Sequence, residues 1–248
     1  FLIAYLCIWV ISPKRLFTNN WQDELWLVAG GIFGGSLYFF TENTALGITQ
    51  ASNVSFIICT APLLTTILSL LFYKSEKASK GLIYGSLLAL MGVGLIVFNG
   101  SFVLKISPIG DLLTLLAALS WAFYSLIIKK MAGRYPTIFI TRKIFFYGVL
   151  TILPAFLLHP LHPDTAVLLQ PAVLFNLLFL AVLASLICYV LWNVVLKQLG
   201  TVRASNYIYL NPLVTMIASF LILDEKITLV ALGGAACIVC GVYWAEKK

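Results

Sequence analysis

The sequence is short of charge. Only 10% of its 248 residues are Asp, Glu, Lys or Arg, against 61% hydrophobic residues. A soluble domain carries about 25% charged residues, and a small one has much surface to cover. A water-soluble globule is therefore excluded, and the medium around most of this chain is lipid. Mean hydropathy is +1.02, in keeping with that. Acids are scarcer still, nine against sixteen Lys and Arg, for a net charge of +7. In a soluble protein such a surplus points to nucleic acid. Here the bases fall between apolar runs, so no nucleic-acid partner is expected and the charge sets orientation instead.

Other absences narrow the function. There is no P-loop, no HExxH and no GxSxG, so ATP-driven transport by the chain itself is not expected, nor is an enzyme. The five cysteines (Cys7, Cys59, Cys188, Cys237 and Cys240) all lie in apolar segments, so no disulfide framework follows. Cys237 and Cys240 form a lone CxxC without partner ligands, which leaves metal none. His159 and His162 share a proline-rich loop with Asp164 that reads as a turn. No cofactor is implied. Nothing in the given sequence resembles a cleavable signal peptide. The chain opens on Phe1 inside an apolar run, which is expected to be the tail of a cut helix.

Eight apolar runs are long enough to span a bilayer, which takes about 20 helical residues. They are 26–46, 52–73, 81–99, 108–128, 138–158, 172–196, 204–223 and 227–245. Their length and lack of period-two alternation favour helices over barrel strands. The expected fold is an all-α membrane protein, a polytopic helical bundle. Lys and Arg set its orientation. One side holds Lys14, Arg15, Lys74, Lys77, Lys80, Lys129, Lys130, Arg134, Arg142, Lys143, Lys197, Arg203, Lys247 and Lys248. The other holds only Lys105 and Lys226. The first side is expected to be cytoplasmic, with the C-terminus inside.

The chain also repeats itself. At an offset of 150, Ala45-Leu46 falls on Val195-Leu196, Asn43 on Asn193, Ser55 on Ser205 and Pro62-Leu63 on Pro212-Leu213. At 149, Glu76-Lys77 meets Glu225-Lys226, Gly85 meets Gly234 and Gly92 meets Gly241. Span 26–46 runs outward and its partner 172–196 inward, so the repeats are inverted, as in many secondary transporters. Two five-helix repeats are expected, 1–100 and 107–248. By the same offset, the first lacks its first helix and part of its second, about 42 residues in all.

Gly110-Asp111-Leu112-Leu113, followed by Ala117-Ala118-Leu119-Ser120-Trp121-Ala122, resembles the opening of the second unit in the ten-helix EamA branch of the drug/metabolite transporter superfamily. The order Ala45-Leu46, Pro62, Glu76 resembles the family's first-unit pattern, and Leu196, Pro212, Glu225 its second copy. The resemblance covers nearly the whole chain. It implies export or exchange of amino acids or similar metabolites across a bacterial inner membrane, and no particular substrate.

Candidate cavity residues follow from polarity at membrane depth. Glu42 is the one acid well inside the assigned spans, and such groups tend to face protein or water. It shares a helical stripe with Gly31, Gly35 and Tyr38. It could pair with a cationic substrate group or carry a proton; the alternative is a headgroup-level carboxylate. Trp192 occupies its place in the inverted copy, beside Asn193, as cavity wall or interface anchor. Pro62 and Pro212 are expected to kink their helices. Asn53, Thr60, Asn206, Tyr209 and Asn211 precede them, lining a polar path or bonding helix to helix. Trp121 shares a stripe with Ser125 and could stack on a substrate ring or cation, or face lipid. Asn43 completes the set. Gly81 and Gly85 form a GxxxG that reads as intramolecular packing, and Glu76 and Glu225 as helix-end groups. The expected partners are the lipid bilayer and a small-molecule substrate, with proton coupling and passive uniport both open. A membrane scaffold and an intramembrane enzyme are the rival readings.

Overall fold

A computed structural model describes residues 1–11, 17–73, 79–98, 107–158, 165–223 and 227–247. Among these residues every regular element is helical. Helix satisfies each backbone N–H and C=O within its own segment, which lipid requires. The helices are α1 (Leu2–Ile11), α2 (Trp21–Gly31), α3 (Leu37–Ile48), α4 (Ala51–Ile58), α5 (Ala61–Phe72), α6 (Lys80–Phe98) and α7 (Pro108–Ala132). They continue with α8 (Thr137–Leu158), α9 (Thr165–Leu168), α10 (Pro171–Leu178), α11 (Cys188–Leu199), α12 (Thr201–Asn206), α13 (Asn211–Leu223) and α14 (Leu229–Glu246).

Among the described residues, seven helical stretches are long and apolar enough to cross a membrane. Ala51–Phe72 and Thr201–Ile222 each count as one stretch, as does Pro171–Leu199. The run expected at 26–46 is helical but is not among the seven. Gly30, Gly31, Gly34, Gly35, Glu42 and Asn43 dilute its apolar character. Lys14, Arg15, Lys74, Glu76, Lys77, Lys105, His159, His162, Asp164, Glu225, Lys226 and Lys248 lie outside the described residues. One part of the basic tally needs correction. Arg142 and Lys143 are not in a connection; they lie inside α8, buried at 3% and 5% exposure.

The chain gathers into two compact units. One combines Phe1–Leu37 with Ile127–Gln198, and the other Tyr38–Leu126 with Leu199–Lys248. Packing and sequence repetition thus divide the chain differently, since each unit draws on both halves. In the first unit α8 packs on α1, on α2 and on the π-helical turn Ile32–Ser36 that follows α2. Glycine permits the approach: a Cβ on Gly31 would lie 2.5 Å from Tyr147 Cβ, and one on Gly35 3.0 Å from Gly148 Cα. Tyr189 donates to Gly34 O at 2.6 Å, inside that π turn.

In the second unit α6 and α14 form the tightest pair. A Cβ on Gly92 would lie 2.5 Å from Gly234 O, and one on Gly241 2.5 Å from Gly85 O. The lower number on one helix meets the higher on the other, so the two run antiparallel. Gly85 and Gly234 are equivalent at the offset of 149, as are Gly92 and Gly241, so exchanging the two helices maps the contact onto itself. The GxxxG on α6 is therefore used within the chain.

The backbone irregularities also recur. The π turn Ile32–Ser36, shifted by 150, falls within a second π segment, Phe179–Ile187. The turn at Cys59–Thr60 between α4 and α5 falls within the 3-10 segment Tyr207–Leu210. Pro62 and Pro212 each sit in the first turn after their break, where a missing N–H costs nothing and the fixed φ starts a helix. The expected kinks are thus interruptions just before each proline.

Candidate functional site

The second unit brings most of the polar candidates together. Tyr38 and Glu42 lie one turn apart on α3, and Tyr38 Oη donates to Glu42 Oε1 at 3.0 Å. The Tyr38 ring packs 5.2 Å from Trp121 at 49°, and Trp121 packs 5.2 Å from Tyr124 at 45°. Tilted contacts of this kind are favoured by the ring quadrupoles. Phe39 closes the group edge-on to Tyr38 at 5.0 Å. Tyr124 is fully buried, whereas Glu42, Tyr38 and Trp121 are half-buried. Among the described residues no Lys or Arg pairs with Glu42. A carboxylate held by a phenol beside aromatic faces is suited to a cation, through charge and through the ring faces together.

The helix breaks supply a second polar group in the same unit. Cys59 is buried at the first break, packs in one cluster with Tyr209 and lies near Tyr38. Asn206 and Tyr209 are fully buried at the second break, and Ser86 Oγ donates to Asn206 Oδ1 at 3.4 Å. The Tyr209 hydroxyl lies beside the same serine. Asn206 Nδ2, Ser205 Oγ and Thr65 Oγ1 are buried without a hydrogen-bond partner among the described protein atoms. Such groups retain capacity for water or a solute. Asn53 is buried nearby in sequence on α4, while Asn211 is exposed.

Other candidates serve their own helices or the other unit. Asn43 is exposed and donates to Phe39 O at 2.7 Å. Ser125 is buried and donates to Trp121 O at 2.9 Å. Thr60 donates to Ile57 O at 2.7 Å. Trp192, half-buried, and Asn193, buried, sit on α11 in the first unit, where Asn193 Nδ2 donates to Thr141 Oγ1 at 2.9 Å. Gly31 and Gly35 face α8 and pack helices rather than shape a cavity. The π turn Ile32–Ser36, which includes Gly35 and precedes Tyr38, rotates the face that a regular helix would have aligned.

Sequence reasoning missed a charged cluster in the first unit. Asp23 accepts from Arg134 Nη1 at 2.5 Å and from Tyr135 Oη at 2.9 Å. Glu24 Oε1 accepts from Lys143 and from Tyr147, and its other oxygen from the Thr18 hydroxyl at 2.7 Å. Burial alone would raise the Glu24 pKa; the donors from Lys143, Tyr147 and Thr18 outweigh it and hold it down at about 2. The available signal was two adjacent acids at a helix start; their cations are Arg134, in the turn before α8, and Lys143, inside it. Among the described residues no group of His, Cys, Asp and Glu could hold a metal.

The chain matches the EamA-like transporter family over residues 1–98 and 108–245. It belongs to that family. A relative from Archaeoglobus fulgidus, an "Uncharacterized transporter", is 29% identical over all of this chain and 86% of its own length. A "Probable amino-acid metabolite efflux pump" of Escherichia coli is 24% identical over 98% of this chain and 81% of its own. A crystal structure at 18% identity superposes with a TM-score of 0.81, over 98% of this chain and 83% of that one, and shares the fold. The protein is thus a helical membrane transporter of the EamA type.

Proposed function

We propose that this EamA protein is a secondary transporter that exports small metabolites bearing an amine or similar cationic group, such as amino acids, by alternating access. The observation that carries the reading is Glu42. It accepts from Tyr38, whose ring packs on Trp121 and through it on Tyr124, and no basic side chain of the described residues pairs with it. An ammonium group there would meet a carboxylate and aromatic faces in a low-dielectric setting, where both are strengthened. The name of the Escherichia coli relative supports an amino-acid-like cargo.

The two sequence repeats, 1–100 and 107–248, are the halves that rock about the site in this mechanism. The recurrence of π turns and proline-linked breaks at one offset supports that division. The excess of Lys and Arg on one side supports a C-terminus in the cytoplasm and residence in the bacterial plasma membrane. Proton coupling and passive uniport use the same scaffold and differ in one respect: only the coupled carrier loses concentrative flux when the proton gradient is collapsed.

The test is efflux from proteoliposomes loaded with a panel of amino acids and amines. Flux of cationic or amine-bearing solutes, reduced at least about tenfold by Glu42→Gln, is the expected result, about 1.4 kcal/mol of differential interaction. Unchanged flux in that variant removes Glu42 from the site. Flux of no solute leaves a scaffold.

A further inference from the structure

A large cavity of the second unit lies outside the polar cluster. It is a groove of about 1500 Å³ along α6, closed by α14 and by Phe56 of α4. Its walls are apolar over most of their length, formed by Tyr84, Leu87, Met91 and Phe98 among others. One end differs. There Lys80, Lys247, Ser79 and Trp244 line it together. That end is also where α6 begins: Ser79 caps the helix, accepting from Leu82 N at 3.0 Å, so the positive end of the helix dipole adds to the two ammonium groups. Gly81 lets α14 come in, since a Cβ there would lie 2.9 Å from Trp244 O.

We propose that this groove is a binding site for an anionic phospholipid. The headgroup phosphate lies between Lys80 and Lys247, and an acyl chain runs along α6 toward Met91. The dimensions agree. Lys80 to Met91 spans about 16 Å at 1.5 Å per residue, close to half of a hydrocarbon core of about 30 Å. Trp244 lies in the last turn of α14, as indole rings at the ends of membrane helices do. Charge favours this occupant over a second copy of the chain. A copy related by an axis normal to the membrane would bring Lys80 and Lys247 of both molecules to the same end, and like charges there repel. It would also find Gly85 and Gly92 of α6 already used by α14.

The test is native mass spectrometry of the full chain released from membranes containing equal phosphatidylglycerol and phosphatidylcholine. The expected result is one retained phosphatidylglycerol, enriched about tenfold or more, as two lysines at a membrane surface predict. Lys80→Gln/Lys247→Gln is expected to bring the ratio near one, while Lys197→Gln/Arg203→Gln, which removes the same charge elsewhere, leaves it unchanged. Met91→Trp, which fills the groove but keeps both lysines, is expected to reduce retention of the lipid. Added glycerol phosphate, a headgroup without chains, is expected not to displace it. Equal retention of the two lipids by the parent protein overturns the proposal. So do undiminished enrichment in the lysine variant, displacement by glycerol phosphate, or a dimer that masks the groove.

Discussion

Glu24 and Glu42 sit eighteen residues apart in consecutive helical segments and have opposite surroundings. Glu24, in the first unit, is held by Lys143, Tyr147 and Thr18, and its neighbour Asp23 by Arg134 and Tyr135. Each charge is answered, which makes the cluster a closed structural joint between α2 and α8. Glu42, in the second unit, has one phenol donor and aromatic neighbours. A charge left partly unanswered is a poor structural element and a good receptor. The difference teaches that burial of a carboxylate is not itself a sign of function. What surrounds it decides.

The contrast can be broken at several points. The largest effect is expected at Glu24. Glu24→Gln leaves Lys143 buried without its counter-charge, which costs about 3–5 kcal/mol in such pairs. Unfolding of the purified protein in detergent checks this, and the double variant Glu24→Gln/Lys143→Met is expected to recover much of the loss. Next comes the α6–α14 crossing. Gly92→Leu forces a side chain against the Gly234 backbone and is expected to cost about 1–3 kcal/mol, seen in the same unfolding measurement. Trp121→Leu keeps the volume apolar but removes the ring beside Tyr38; apparent affinity for an amine substrate is expected to fall by about 0.5–2 kcal/mol, read as a raised half-saturation of flux.

The joint of the first unit also carries a pH dependence. Glu24 is depressed from 4.5 to about 2, so its contribution to stability is complete above about pH 4.5. It is lost as pH falls through that value toward about 2. Glu24→Gln is expected to flatten this part of the stability profile, and an identical slope in parent and variant would contradict the account of the joint.

The membrane fold was legible because run length and missing charge are coarse signals that lipid enforces on every span. The paired helix breaks were legible from Pro62 and Pro212, and the α6–α14 crossing from its glycines, because both roles are local. The π turns were not. Gly34-Gly35-Ser36 loosens a helix without specifying a π turn, and Phe179–Ile187 keeps ordinary helical patterning; Tyr189 donates to Gly34 O in the first. That is why Gly31 and Gly35, placed on the Tyr38–Glu42 stripe by regular helix geometry, turn toward α8 instead. Half of the candidate site was visible from polarity at depth: Glu42, Tyr38, Asn206 and Tyr209. Tyr124 was not, because a tyrosine in an apolar run carries no mark until Trp121 is seen beside it. The Asp23–Glu24 cluster escaped because its partners lie more than 110 residues away and its cations read as loop charges.

The most direct measurement is amine or amino-acid efflux from proteoliposomes by Glu42→Gln and by Glu24→Gln/Lys143→Met, each normalised to folded protein. If the open carboxylate is the receptor and the answered one a joint, the first variant folds and fails to transport while the second transports when folded. Transport at the parent rate by Glu42→Gln, with loss confined to the second variant, would contradict that assignment.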